Sequence, residues 1–72
     1  MTRFELTKRE KDVLVLKILG LGDKEIAKKL SISYGTVRTH IERAKIKWGC
    51  SSTIQLLLLA NSYFNEKVYG RM

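Results

Sequence analysis

The sequence predicts an all-α protein of four helices. Three observations support this fold class: apolar residues recur every three or four positions, no proline interrupts them, and short breaks containing glycine or serine separate the apolar stretches. With 44% hydrophobic and 29% charged residues, the 72-residue chain has the composition of one small folded domain. Its ends, residues 1–5 and 67–72, are expected to be flexible.

The first helix is predicted from about Lys8 to Leu19. Thr7 and Glu10 have the spacing of a capping box, in which the hydroxyl and the carboxylate satisfy two backbone donors at the start of a helix. Gly20 suits the position after the last turn, where the chain often adopts a left-handed conformation.

The second helix is short and is followed by a tight turn. Asp23 is expected to cap its start, Ile32 to be buried as a wedge in the turn, and Ser33 to cap the next helix. The apolar stripe of this helix consists of Ile26, Ala27 and Leu30, and its solvent side carries Lys24, Lys28 and Lys29.

The third helix is predicted from about Tyr34 to Trp48, with Gly49 ending it. Its buried stripe, at 3.6-residue periodicity, consists of Val37, Ile41, Ala44 and Trp48. The opposite face consists of Gly35, Thr39, Glu42, Arg43 and Ile46, flanked by Arg38. A helix buried on one side and carrying charged groups on the other is suited to contact another molecule.

The fourth helix is predicted from near Ser52 to about Glu66, and it is apolar on nearly all sides. In so small a protein such a helix must be covered twice, by the first three helices and by a second subunit. The residues expected at the subunit contact are Leu56, Leu59, Ala60 and Tyr63. The alternative is an unusually apolar terminal helix in a monomer.

Charge indicates the class of partner. The net charge is +7 and the pI is 9.9, which favours nucleic acid over a membrane surface, although a basic surface kept for solubility is the alternative. No apolar run approaches the ~20 residues of a membrane span, and no secretory signal is visible. The single cysteine fits a reducing compartment, so a cytoplasmic protein is expected.

The second and third predicted helices, joined by a turn of three or four residues, have the arrangement of a helix-turn-helix. The third helix has the right width for the major groove of B-DNA, which is about 12 Å across. The side of that helix that faces the groove would be the exposed face opposite its buried stripe.

Specific residues strengthen this interpretation. They follow one another at fixed spacing as Leu6-Thr7-Lys8-Arg9-Glu10, Val13-Leu14, Lys24 through Ser33, and Thr36-Val37-Arg38-Thr39-His40. The pattern, from Leu6 to about Leu57, resembles the LuxR/GerE-type DNA-binding domain found in many bacterial response regulators and quorum sensors. The length of the chain is similar to the stand-alone GerE subgroup, which has no receiver or ligand-binding domain.

The resemblance implies roles for individual residues. Base contacts are expected from Arg38, Thr39 and Glu42, and the last helix is expected to form the dimer contact. Contacts with the DNA backbone are expected from Lys24, Lys28, Lys29, Thr36, His40, Arg43, Lys45 and Lys47. The chain departs from the family where Lys45 replaces an apolar residue, which falls instead at Ile46, and where Thr53 replaces a frequent arginine.

The groove-facing residues suggest particular base contacts. Arg38 could bridge O6 and N7 of a guanine, and Thr39 could touch a thymine methyl group. Glu42 has two interpretations, because a carboxylate near phosphates is repelled. It either accepts a hydrogen bond from cytosine N4 or pairs with Arg38 at i, i+4 and positions that arginine.

No enzyme activity, cofactor or metal site is predicted. One cysteine and one histidine cannot form a four-ligand zinc site, and no nucleophile lies at a recognisable catalytic spacing from His40. Cys50 could be a redox sensor, but a structural cysteine is the commoner case.

The sequence therefore predicts a transcription regulator that binds double-stranded DNA as a homodimer on a two-fold-related site. RNA polymerase or another regulator are further candidate partners. Two alternatives remain: a protein-interaction adaptor that forms heterodimers through its last helix, and a detached output domain that binds DNA weakly alone.

Overall fold

The computed structural model describes residues 5–68, with side chains described as far as residue 65. Within that range the chain forms four helices and no strand, which confirms the predicted fold class. The helices are α1 (Lys8–Ile18), α2 (Asp23–Leu30), α3 (Tyr34–Trp48) and α4 (Thr53–Val68). The predicted flexible ends fall mostly on residues 1–4 and 69–72, which lie outside the described residues, and α4 continues through Val68.

Helix α1 starts at the predicted residue, Lys8, and ends at Ile18, one residue before the predicted Leu19. The Glu10 backbone N–H donates to Thr7 Oγ1 at 3.1 Å, and the Thr7 backbone N–H donates to Glu10 Oε1 at 2.9 Å, which completes the capping box. Gly20 follows the last turn with φ +101°, a left-handed conformation that glycine adopts without steric cost.

Helix α2 begins differently from the prediction. The cap residue is Gly22, whose backbone N–H donates to Glu25 Oε1 at 2.8 Å, and Asp23 is the first residue of the helix. The prediction that Asp23 caps α2 was therefore wrong. Its carboxylate forms ion pairs with Lys17 and Arg38 instead.

Helix α3 has the predicted bounds and a defined end at each side. The Thr36 backbone N–H donates to Ser33 Oγ at 3.0 Å, which confirms Ser33 as its cap, and Gly49 ends it with φ +65°. The preceding turn depends on Ser31, which adopts a left-handed conformation with φ 58° although it is not glycine.

Helix α3 packs against all three other helices, as α1 also does. Val37, Ile41 and Ala44 on its inner side are buried, as predicted. The core consists of Leu6, Val13, Leu14, Ile26, Ala27, Val37, Ile41, Ala44, Leu56 and Ala60. Because three neighbours hold α3, the orientation of its outer face is set by the packing of the whole domain.

Helix α4 turns a different face outward from the one predicted. Leu56 and Ala60 are fully buried in the protomer's own core, so their assignment to a subunit contact was wrong. The outward apolar side chains are Ile54, 72% exposed, and Leu58, 68% exposed. Residues 54 and 56 point about 200° apart around a helix, so burying one exposes the other. None of the described helices is long and apolar enough to cross a membrane.

Candidate nucleic-acid interface

The outer face of α3 is a continuous exposed surface. Its exposed residues are Gly35, Arg38, Thr39, Glu42, Arg43 and Ile46. These are the residues that the helical periodicity placed opposite the buried stripe, so the predicted face is confirmed as a surface. A 15-residue helix is about 22 Å long, and one side of it is therefore available for a groove-sized partner.

Arg38 reaches this surface while anchored to α2. Its Nη1 atom lies 3.2 Å from Asp23 Oδ2, and the Lys17 ammonium lies 2.5 Å from the other carboxylate oxygen. The hydrogen bond from Lys17 is the main cause that lowers the pKa of Asp23, and Arg38 adds to it against the effect of burial. Asp23 is therefore a carboxylate that two cations hold in its charged form.

Glu42 pairs with Lys45 and not with Arg38. Glu42 Oε2 lies 3.3 Å from the Lys45 ammonium, one turn further along α3. The prediction that Glu42 positions Arg38 at i, i+4 was therefore wrong, because Arg38 bonds to Asp23 and Glu42 to Lys45. Acceptance from a cytosine amine stays a prediction, since the Glu42 side chain is more than half exposed.

The two threonines of this region use their hydroxyl groups within the protein. Thr39 Oγ1 donates to the Gly35 carbonyl oxygen at 3.0 Å, so its methyl group and its acceptor lone pairs are what it offers to a base edge. Thr36 Oγ1 lies 2.8 Å from Ser33 Oγ, at the start of the helix. Both hydrogen bonds hold the threonine side chains close to the start of α3, where contact with DNA is predicted.

Lys47 and His40 lie on the inner side of α3, away from the exposed face. The Lys47 ammonium lies 2.8 Å from Glu10 Oε1 and donates to the Glu5 carbonyl at 3.4 Å. Lys47 thus forms an ion pair with a carboxylate that is only 2% exposed, and its contact with the DNA backbone stays a prediction. His40 is half-buried with Nδ1 in the interior, which leaves Nε2 as the only ring nitrogen for a phosphate.

The Glu10 site is the main polar feature that sequence reasoning missed. Burial raises the pKa of Glu10, but hydrogen bonds from Lys47 and the Thr7 backbone, with the charges of Lys47 and His40, lower it below the ordinary 4.5. The local sequence revealed only the bond to Thr7. Lys47 is 37 positions away, and no spacing rule connects residues so far apart.

The remaining predicted basic residues are accessible. Lys24, Lys28 and Lys29 on α2 and Arg43 on α3 are exposed, and Lys45 is partly covered beside Glu42. Among the side chains that the structure describes, no three metal-ligating residues come together as a metal site. The groups that this surface exposes to a partner are thus cations, the Glu42 carboxylate, the Thr39 methyl group and the Ile46 side chain.

Comparison with known proteins agrees with this geometry. Residues 5–60 match the family described as bacterial regulatory proteins, luxR family. The chain is 43% identical over 53 residues to the spore germination protein GerE of Bacillus subtilis, an alignment that covers 74% of this chain and 72% of GerE. It is also 42% identical over 55 residues to the transcriptional regulatory protein MctR of Rhizobium johnstonii, covering 76% of this chain and 26% of MctR.

Other relatives are much longer. An HTH-type transcriptional regulator of Mycobacterium bovis is 44% identical over 52 residues, which are 72% of this chain and 6% of that protein. The chain therefore spans only a small part of several relatives and most of GerE. On the match over residues 5–60, the chain belongs to the luxR family of bacterial regulatory proteins, whose helix-turn-helix consists here of α2, the turn at Ser31–Ser33 and α3.

Proposed function

We propose that this protein binds duplex DNA sequence-specifically as a homodimer and thereby regulates transcription. The observation that carries the proposal is the outer face of α3, which is exposed, contains Arg38, Thr39 and Glu42, and is held by three helices. Relatives named as transcriptional regulators support the same role. In this arrangement α3 lies in the major groove and α2 crosses the DNA backbone.

Sequence preference is assigned to three side chains. Arg38 donates to a guanine edge, the Thr39 methyl packs on a thymine methyl, and Glu42 accepts from a cytosine amine. Ile46 lies on the same face, 77% exposed, and adds an apolar group at its far end. The net charge of this face depends on Arg38 and Arg43, because Glu42 and Lys45 offset each other.

Affinity is assigned mainly to cations around that face. Lys24, Lys28, Lys29 and Arg43 are the exposed candidates for phosphate contacts, with Thr36, His40 and Lys45 contributing from less accessible positions. If a dimer neutralises about 6–10 phosphates, affinity should fall about 10³–10⁵-fold between 50 and 200 mM salt. An affinity that does not change with salt would contradict this part of the proposal.

The first experiment is selection of binding sites from random duplex DNA at about 150 mM salt, where non-specific binding is already weakened. A recovered two-fold motif would support a dimeric sequence reader. A folded protein that enriches no motif would contradict the proposal. That result would favour the alternative, an adaptor that heterodimerises through its last helix.

The second experiment compares two arginines of the same helix. Arg38→Ala should reduce discrimination at one base pair of the selected motif by about 5- to 150-fold. Arg43→Ala is the matched control, since it removes the same charge and should weaken binding to all sequences similarly. Equal effects of both variants on every base pair would exclude Arg38 as a base contact.

A further inference from the structure

Arg38 is an exposed residue of α3 whose side chain is also bonded to another helix. Its guanidinium Nη1 lies 3.2 Å from Asp23 Oδ2 at the start of α2, 15 positions earlier in the chain. The second oxygen of the same carboxylate accepts from Lys17 at the end of α1. Three helices therefore converge on the Asp23 carboxylate.

The exposures of the two partners show which one is anchored. The Asp23 side chain is only 12% exposed, whereas the Arg38 side chain is 55% exposed. The Asp23 carboxylate is thus mostly buried, whereas the Arg38 guanidinium extends into solvent. A guanidinium carries five donors, so one bond to Asp23 leaves enough donors for a two-bond contact with a guanine edge.

The charges of the three groups are also suited to DNA. A carboxylate alone at the protein–DNA boundary would repel phosphates, but the Lys17 ammonium neutralises Asp23. The three groups together therefore carry a net charge of about +1, although Asp23 holds the Arg38 side chain. A lysine at this place would lack the planar fork of donors that allows both bonds at once.

We infer that Asp23 is a positioning residue that fixes the Arg38 side chain for base readout, with Lys17 holding Asp23. The inference rests on the proposed function, because it assumes that Arg38 contacts a base. An arginine that is already held loses less conformational freedom on binding than a mobile one. Removing that constraint should cost about 2- to 12-fold in affinity for the preferred sequence.

The test is a double-mutant cycle with Asp23→Asn and Arg38→Ala, measured on the selected duplex and on duplexes changed at single base pairs. Asp23→Asn keeps the shape of the side chain and removes its charge. The matched control is Glu25→Gln, which removes one negative charge from the same turn of α2. A glutamine can still accept from the Gly22 backbone N–H.

The expected result is specific to Arg38. Asp23→Asn should reduce discrimination at the base pair that Arg38→Ala identifies, and it should have no further effect once Arg38 is alanine. Glu25→Gln should leave discrimination unchanged. Asp23→Ser provides a second variant, with a short uncharged side chain at the first residue of α2, and thermal unfolding establishes that each variant is folded at the assay temperature.

Other outcomes overturn the inference in distinguishable ways. Unchanged discrimination in folded Asp23→Asn and Asp23→Ser, or the same loss with and without Arg38, would show that Asp23 does not act through Arg38. A gain in specific affinity beyond that of Glu25→Gln would show that Asp23 competes with DNA. If Arg38→Ala itself changes no base preference, the proposed function of Arg38 fails, and this inference fails with it.

Discussion

Glu10 belongs both to the capping box of α1 and to an ion pair with Lys47 near the end of α3. The carboxylate is almost fully buried, and an unpaired carboxylate in that position would be strongly destabilising. At the scale of single residues, this pair thus connects the start of α1 to the end of α3. Its function is structural, since neither group reaches the exposed face.

Lys47→Met should destabilise the protein because it leaves Glu10 buried without its cation. We expect a loss of about 2–3 kcal/mol in the free energy of unfolding, less than the ~3–5 kcal/mol of fully buried pairs, since Lys47 is 27% exposed. Denaturant unfolding at neutral pH measures the change. Lys45→Met is the control, with an expected loss below about 1 kcal/mol because its partner Glu42 is exposed. Equal losses in both variants would contradict the structural role of Lys47.

Stability should also fall in acid. The pKa values of Glu10 and Asp23 are lowered in the folded state from 4.5 and 3.8, so each stabilises the fold above its ordinary pKa and loses that contribution as pH falls through its folded value. The free energy of unfolding should be constant above about pH 5 and should decrease progressively below about pH 4.5.

Denaturant unfolding between about pH 3 and pH 7 tests this dependence, with Glu10→Gln as the comparison. The glutamine variant should be less stable at neutral pH, and its stability should change less in acid because one of the two carboxylates is absent. A wild-type protein that keeps its neutral-pH stability at about pH 3 would contradict the assignment.

At the scale of secondary structure, α3 is defined by the residues at its two ends. Ser33 caps its start, and Gly49 ends it in a left-handed conformation at φ +65°. The two ends fix the length of the helix, and the exposed face from Arg38 to Ile46 lies between them. These ends also set the directions of the turn before α3 and of the connection to α4.

Substitutions of two glycines, one inside α3 and one directly after it, should have opposite effects on stability. Gly49→Ala should destabilise the protein by about 1 kcal/mol, because alanine is strained at a positive φ although no atom blocks its side chain. Gly35→Ala should stabilise it by about 0.5–1 kcal/mol, since an added Cβ would be 3.9 Å from Ser33 Oγ, an ordinary contact. Thermal unfolding measures both, and changes of the same sign would contradict this explanation.

At the scale of the whole molecule, the outer face of α4 is the candidate subunit contact. Ile54 and Leu58 are exposed on that face, whereas Leu59 and Tyr63 are half-buried, with Tyr63 packed edge-on between Trp48 and Phe64. Two exposed large apolar residues one turn apart are a surface that a second copy could cover. A dimer would place two α3 helices on one side of the DNA.

Leu58→Asp should separate dimerisation from folding. Because Leu58 is exposed in the protomer, its substitution should change the free energy of unfolding of the protomer by less than about 0.5 kcal/mol. Affinity for a two-fold site should fall by about 10²–10⁴-fold, as expected when two linked binding units become one. Sedimentation measures the oligomeric state, and Asn61→Asp, which adds the same charge to α4, is the control. A variant that keeps wild-type mass and affinity would exclude this face.

The sequence by itself determined the features that depend on neighbouring residues. Hydrogen bonds between neighbouring residues determine the capping box at Thr7 and Glu10 and the bounds of α3. Helical periodicity determines the exposed face around Arg38. Both act within a few positions of the chain. The order and spacing of residues in the helix-turn-helix likewise identified the family. These interactions are local, so the pattern of the chain records them directly.

Only the tertiary structure decided which distant residues meet. Lys47 bonds to Glu10 and Arg38 to Asp23 across helices, and such pairs depend on how the helices cross and not on spacing along the chain. The outward face of α4 was undetermined for another reason: a helix apolar on nearly all sides has no periodicity that distinguishes inside from outside. Packing against α1 and α3 made that choice by burying Leu56 and Ala60 and leaving Ile54 and Leu58 in solvent.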